Sequence, residues 1–232
     1  MAIQRHLSTV VALLLAAGSA TAQVRAGEWV SYRDAYRAMV LFEKYGKPKN
    51  LLQSHLQIMP REKGGTAEGL QLTLSGFSTQ LNLPLDPLGR TVFPLLKTAY
   101  DENAALVLNR KVSQYAFRSR VSLLVRPDGV YEAPELRAAC EQALNSERHL
   151  DASLRNKHCV GVRFVFAKKG VEPGVRLRNG GDQGSLPVLE GAAFGDDPED
   201  GFKTVTYRFA DGQDKGQVVT QNAPLAIAAL FD

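Results

Sequence analysis

The chain predicts an α+β, mainly β protein: an antiparallel β-sandwich with an N-terminal helix and a second helix packed against the sheet. Three observations predict it. Leu70, Leu72 and Leu74, then Leu81, Leu83 and Leu85, place an apolar side chain at every second position, the repeat of a half-buried strand. Between and after these trios stand Ser75-Gly76-Phe77-Ser78 and Asp86-Pro87-Leu88-Gly89. Proline presets φ there and glycine accepts a positive φ, so the chain reverses and the pairing is antiparallel. Two other stretches, 31–45 and 134–148, change to helical spacing.

In chain order, Arg5 and His6 precede an apolar run at 7–17, and Ala20-Thr21-Ala22 offers a small-x-small cleavage site. Residues 1–22 therefore read as a secretory signal peptide. The run is shorter than the roughly 20 residues that a bilayer crossing takes, and no later segment is apolar enough to anchor the chain. No cysteine follows it to carry a lipid. The expectation is a periplasmic or extracellular protein with no membrane span. Cleavage after Ala22 leaves 210 residues. They divide into a helix and strand at 23–60, the sandwich core at 61–130, and a loop-rich part with a helix and strands at 131–232, read as the same domain.

In the first segment Ser31 and Asp34 approximate a capping box, Tyr32, Tyr36, Met39 and Val40 follow helical spacing, and Gly46 with Pro48 ends the helix. Leu52, Ser54, Leu56 and Ile58 then alternate up to Pro60, a strand with His55 on its outer, solvent face. Arg61-Glu62-Lys63-Gly64-Gly65-Thr66 has no periodicity and reads as a flexible loop open to proteolysis. Extended structure resumes in Arg90-Thr91-Val92-Phe93-Pro94-Leu95 and again at 104–109. Tyr115, Phe117, Val121, Leu123 and Val125 form a further strand up to Arg126-Pro127-Asp128-Gly129.

The second helix opens on Pro134 and Glu135, which suit a first turn, and ends near Arg148 and His149, which suit a last one. Leu136, Cys140, Ala143 and Leu144 form its inward stripe. A strand follows in Val160, Val162, Phe164 and Phe166. The glycine-rich stretches 168–184 and 191–201 read as long mobile or functional connections. Val205, Tyr207 and Phe209 resume the strand pattern, Asp211-Gly212 turns, Val218-Val219 extends, and 226–230 fits either a last strand or a short helix.

The phrase Leu81-Asn82-Leu83-Pro84-Leu85-Asp86-Pro87-Leu88-Gly89-Arg90, with Phe93-Pro94-Leu95 and Ala105-Leu106-Val107-Leu108 after it, resembles the strand, D-x-x-G-R turn and strand of prealbumin-like (transthyretin-like, carboxypeptidase-regulatory-like) β-sandwich domains. The likeness covers about a quarter of the chain, and it extends dimly to uncharacterised exported bacterial proteins. It implies a non-catalytic module and names no ligand. The N-terminal helix and the helix at 134–148 depart from a simple seven-strand module.

Chemistry is sparse. One of the 28 Lys+Arg and none of the 24 Asp+Glu lie in the signal segment, so a net charge of +3 remains without any dense basic run. That excludes the footprint of a nucleic-acid binder and leaves a protein or carbohydrate partner in the cell envelope. His55, His149 and His158 have no metal-binding spacing, and no nucleophilic-serine or phosphate-loop motif occurs, so neither a cofactor nor catalytic residues are assigned. Cys140 and Cys159 are the only cysteines; in an exported chain they read as a disulfide tying helix to strand, with two buried thiols as the alternative.

Asp196, Asp197, Glu199 and Asp200 are the alternative chemistry, as a secreted hydrolase's acids or as calcium ligands, against the simpler account of a solvated turn. Arg118 and Arg120 share a strand face opposite Phe117, Val121 and Val125 if a bulge falls near Ser119. With Arg110 and Lys111 nearby they form a stripe for an anionic ligand or, more simply, for keeping a sheet edge from aggregating.

Overall fold

The computed structural model describes residues 29–179, 182–210 and 215–232, without the side chains of 182 and 183. The signal segment and the Asp211-Gly212 turn lie outside these residues. The fold is α+β and mainly β, with three antiparallel sheets and few helices.

Ser31 closes a three-residue strand, β1 (Trp29–Ser31), and caps the helix α1 (Tyr32–Lys44) by accepting the Asp34 N–H at 3.4 Å. The expected start thus coincides with a true cap, a contact of about 1 kcal/mol. At the other end Lys49 donates to the carbonyls of Phe42, which also accepts the Tyr45 N–H, and Glu43, where a cation meets the negative end of the helix dipole. Tyr32 is fully buried, stacks on Phe93 at 5.0 Å and bonds the 94–96 backbone through its hydroxyl.

The leucine trios make a hairpin, β3 (Leu72–Ser75) and β4 (Gln80–Leu83), in the expected antiparallel register. The hairpin belongs to a small sheet of order β1-β6-β3-β4, in which β6 is Ala105–Leu108 and follows the short helix α2 (Lys97–Asp101). Leu70 and Leu85 lie just outside the strands, and Leu81 is 40% exposed because β4 is an edge. The expected run at 90–95 shortens to β5 (Arg90–Thr91), and it joins a different sheet, pairing with β2 (Leu52–Pro60).

That second sheet is the centre of the molecule. Its seven strands run β12-β13-β9-β15-β7-β2-β5, with β7 (Tyr115–Leu123), β9 (Cys159–Phe166), β12 (Val188–Gly191), β13 (Phe202–Arg208) and β15 (Ala226–Phe231). The 226–230 ambiguity resolves as strand, because β15 finds partners on both sides in β9 and β7. The long helix α3 (Ala133–Leu150) lies on one face, with a third sheet of order β11-β10-β14-β8 beside it. That sheet comprises β8 (Val130–Glu132), β10 (Val175–Asn179), β11 (Asp182–Ser185) and β14 (Gln217–Thr220). The reading of 168–184 as a long loose connection is therefore corrected, whereas 192–201 is a connection without strand, as its glycines and acidic residues suggest. β10 and β11 form there and β12 follows just after, because paired backbone groups make strands even where the side-chain alternation is weak.

One face of the large sheet carries Leu52, Leu56, Ile58, Leu123, Val162, Phe164 and Ile227 and holds two apolar cores. One packs under α3 and the third sheet, the other under α1 and the small sheet. The opposite face is polar over β2 and β7 and apolar over β9 and β15. There Val165, Ala226 and Ala228 meet Leu88, Ala193 and Phe194. The chain between β12 and β13 folds across this second face and brings the acidic residues with it.

The disulfide is formed. Cys140 on α3 and Cys159 at the start of β9 have Cα atoms 6.0 Å apart, so the staple ties the helix to the central sheet.

Candidate functional site

The second face of the large sheet is built by alternation. β2 and β7 pair in unbroken register from Leu52–Leu123 to Pro60–Tyr115, so Gln57, Arg118 and Arg120 all project from the side opposite Leu56, Phe117 and Val121. No bulge is needed at Ser119, and that expectation is corrected. β7 lies between β15 and β2 in the sheet order but meets β15 only at Leu123–Ile227, so its arginines stand beside an open seam within the sheet rather than at its outer edge.

They hold the acidic loop instead. Arg118 donates to Asp196 at 2.6 Å and pairs with Asp197, while Arg120 donates to Asp196 at 3.0 Å and Asp197 at 2.8 Å. Gln57, buried in the sheet, donates to Asp197 at 3.1 Å and accepts from both arginines through its carbonyl oxygen. Arg120 also lies 4.2 Å over the Phe194 ring, and Arg163 bonds the Ala192 carbonyl at the base of the loop. Burial pushes the Asp197 carboxyl above its ordinary value, the Gln57 hydrogen bond and the Arg118 charge pulling the other way. A metal ion would have to displace two guanidinium groups from these oxygens. Among the described residues no group of three or more His, Cys, Asp or Glu is placed to hold one.

Glu199 is committed as well. Its carboxylate accepts from Thr66 Oγ1 and the Ala67 N–H, both at 3.0 Å, and from Lys168 at 2.9 Å, so it pins the loop to the chain after β2. Asp200 accepts from the Gly201 N–H at a turn. The loop's acids thus clasp the fold, which corrects the picture of a solvated turn.

The sequence reading placed His55 on a solvent face. The histidine is half-buried, its Nδ1 has no partner among the described residues, and burial together with the Arg90 charge pushes its pKa down, against the pull of Asp86. Arg90 belongs to the D-x-x-G-R turn. Asp86 accepts from the backbone N–H groups of Leu88 and Arg90 with one oxygen and from the Arg90 guanidinium with the other. Gly89 has φ +69° there, and a Cβ would stand 2.2 Å from the Ile58 carbonyl oxygen. Only glycine fits.

One ionisable group escaped sequence reasoning. Glu147 sits on α3 four residues after Ala143 and seven after Cys140, on the inward stripe, and that spacing was the available signal. β7 and β15 share only the Leu123–Ile227 position, so the sheet is open beside Arg118 and the helix-borne carboxyl feels charges on the far face. Burial, then the charge of Asp196, push its pKa up to about 7, with Arg118 opposing. It makes no side-chain hydrogen bond to any described residue.

Beside the Glu199 clasp a cleft of about 370 Å³ opens between 66–70, 85–87 and 167–169. Leu70, Leu85, Pro87 and Phe202 give it apolar walls. Glu68, Lys168 and Lys169 stand among its charged residues. Asp86 and Glu199 also line it, but both carboxylates are already bonded, to Arg90 and to Lys168. Cys140 and Cys159 are joined, so neither is a nucleophile, and His158 bonds through its backbone to Asp232. Compared with known proteins, the chain matches no family model, no curated protein and no solved structure.

Proposed function

We propose that the protein is an exported, non-catalytic binding module of the cell envelope that takes a small, mainly apolar ligand, or the apolar part of a larger one, in the 66–70/85–87/167–169 cleft. The reading is carried by that cleft: apolar walls with carboxylates engaged in holding the fold suit retention better than turnover. The disulfide supports export, since such bridges persist in oxidising compartments, and the prealbumin-like turn fits a module of this kind. Among the described residues no helix is long and apolar enough to cross a membrane.

The test uses a neutral naphthylamine dye whose emission rises in apolar surroundings. Wild type should enhance it, and Leu85→Arg, at a half-buried wall position, should abolish the enhancement with the melting temperature within a few degrees of wild type. No enhancement by folded wild type overturns the reading. N-terminal sequencing of protein from an exporting host should begin at Gln23.

One observation favours a second reading, a hydrolase using the 195–201 loop: Glu147 is a carboxyl pushed up to about 7 by burial and by the charge of Asp196, and a raised carboxyl near a second one is what acid–base catalysis uses. Hydrolysis of envelope polysaccharide that disappears in Asp196→Asn would establish it.

A further inference from the structure

The anionic-ligand expectation attached to Arg118 and Arg120 fails because both are neutralised, but the same chemistry exists elsewhere. A second cleft, of about 650 Å³, lies between the end of β2 and the start of β7. Its walls are the 60–66 loop and the 110–115 stretch. The loop's path is fixed by its backbone: the Arg61 N–H bonds the Gln114 carbonyl of the other wall at 2.9 Å, Gly64 takes φ +81°, and the Gly65 N–H returns to the Glu62 carbonyl.

Arg61, Lys63 and Arg110 all line this cleft and are exposed, against one carboxylate, Glu62. None of the three cations makes a side-chain hydrogen bond or ion pair with any described residue. Arg118 and Arg120 by contrast are saturated by Asp196 and Asp197. Ser113 and Gln114 add polar groups to the same wall. A Cβ at Gly69 would lie 3.7 Å from Arg110 Nη2, so this guanidinium stands where the second cleft borders the first.

The geometry points to a binding site for a small hydrophilic ligand carrying at least two oxyanion groups, phosphate or carboxylate, gripped by Arg61 and Arg110 with Lys63 assisting. Two guanidinium forks can each meet an oxyanion through paired N–H donors, which a single-charge ligand would leave half used. The proposal is independent of the apolar cleft, since it involves other residues and another ligand chemistry.

Calorimetric titration of the folded protein with tripolyphosphate and, separately, citrate tests it and separates the two oxyanions. At low ionic strength at least one should bind, weakening as salt screens the charges. The double variant Arg61→Gln/Arg110→Gln, both at exposed positions, should lose at least about tenfold in affinity, while Arg155→Gln/Lys157→Gln, exposed cations elsewhere, should leave it unchanged. Failure of wild type to bind either probe at about 10 mM, where even a millimolar site would show, overturns the proposal. So does equal loss in both double variants, which would mean diffuse charge rather than a site.

Discussion

Glu147 and Asp197 show how differently two buried carboxyls can behave. Glu147 has no hydrogen bond to stabilise its charge, and its pKa of about 7 in the fold returns to about 4.5 on unfolding. Between those values the folded chain keeps a proton that the unfolded chain has lost, so stability falls as pH rises through the window. The loss is complete above about pH 7 and amounts to about 3 kcal/mol. Glu147→Gln should flatten this fall and exceed wild type in stability at pH 8, measured by urea denaturation across pH 5 to 8; parallel curves for the two proteins would refute the account. Asp197, at 5% side-chain exposure, is surrounded by donors, whereas Asp196 on the same arginines is 59% exposed. Removing the buried partner leaves both guanidinium groups with only the exposed Asp196, so Asp197→Ala should cost about 3 kcal/mol. Asp196→Ala should cost less than about 1 kcal/mol, since solvent screens an exposed pair. Equal costs would show that burial does not govern the clasp.

At the scale of the element, α3 is held in two ways: by the apolar stripe pressed on β9 and by the disulfide. The bridge spans 19 residues of sequence and closes a loop whose entropy in the unfolded chain is worth about 3 kcal/mol. Reductant should therefore lower the melting temperature of wild type, and Cys140→Ala should be destabilised to a similar degree and indifferent to reductant. Two thiols titrating in denatured, unreduced protein would remove the staple. The clasp loop between β12 and β13 works on a different principle. Only Ala193 and Phe194 anchor it by apolar burial, and the acidic part beyond them is placed by ion pairs to β7 and by Glu199 reaching the Ala67 backbone.

For the whole molecule, the seven-stranded sheet is the common support of the apolar cores, and β9 and β13 lie inside it, each paired on both sides. Their amide hydrogens should exchange slowest, through global opening, while the edges β4 and β12 exchange through local fraying. Hydrogen exchange followed by mass spectrometry resolves the order; protection in β4 equal to that in β9 would contradict this architecture. Trypsin should cut first at Arg61 or Lys63, both exposed on the 60–66 loop.

Much of the local structure was legible in the sequence because it is set by neighbours. Ser31 caps α1 because a hydroxyl three residues before a free N–H is a local fact, and the β3–β4 hairpin follows from alternating leucines around a reversal. The Cys140–Cys159 pairing followed from the even cysteine count and the reading of the chain as exported. Sheet membership did not, since it is decided by which backbone finds a partner across large sequence distances. β5 left the leucine hairpin to pair with β2, and β10 to β12 formed where the side-chain pattern was faint. The site shows the same limit. Alternation put Gln57, Arg118 and Arg120 on one face, and the helical stripe contained Glu147, but charge partners 76 to 79 residues apart in sequence met only because the β12–β13 connection crosses the sheet. Local hydrogen bonding and periodicity are short-range and written in the sequence, whereas burial and charge pairing depend on which surfaces the whole chain brings together, so only the tertiary structure decided which cations were neutralised and which, at Arg61, Lys63 and Arg110, were left facing a cleft.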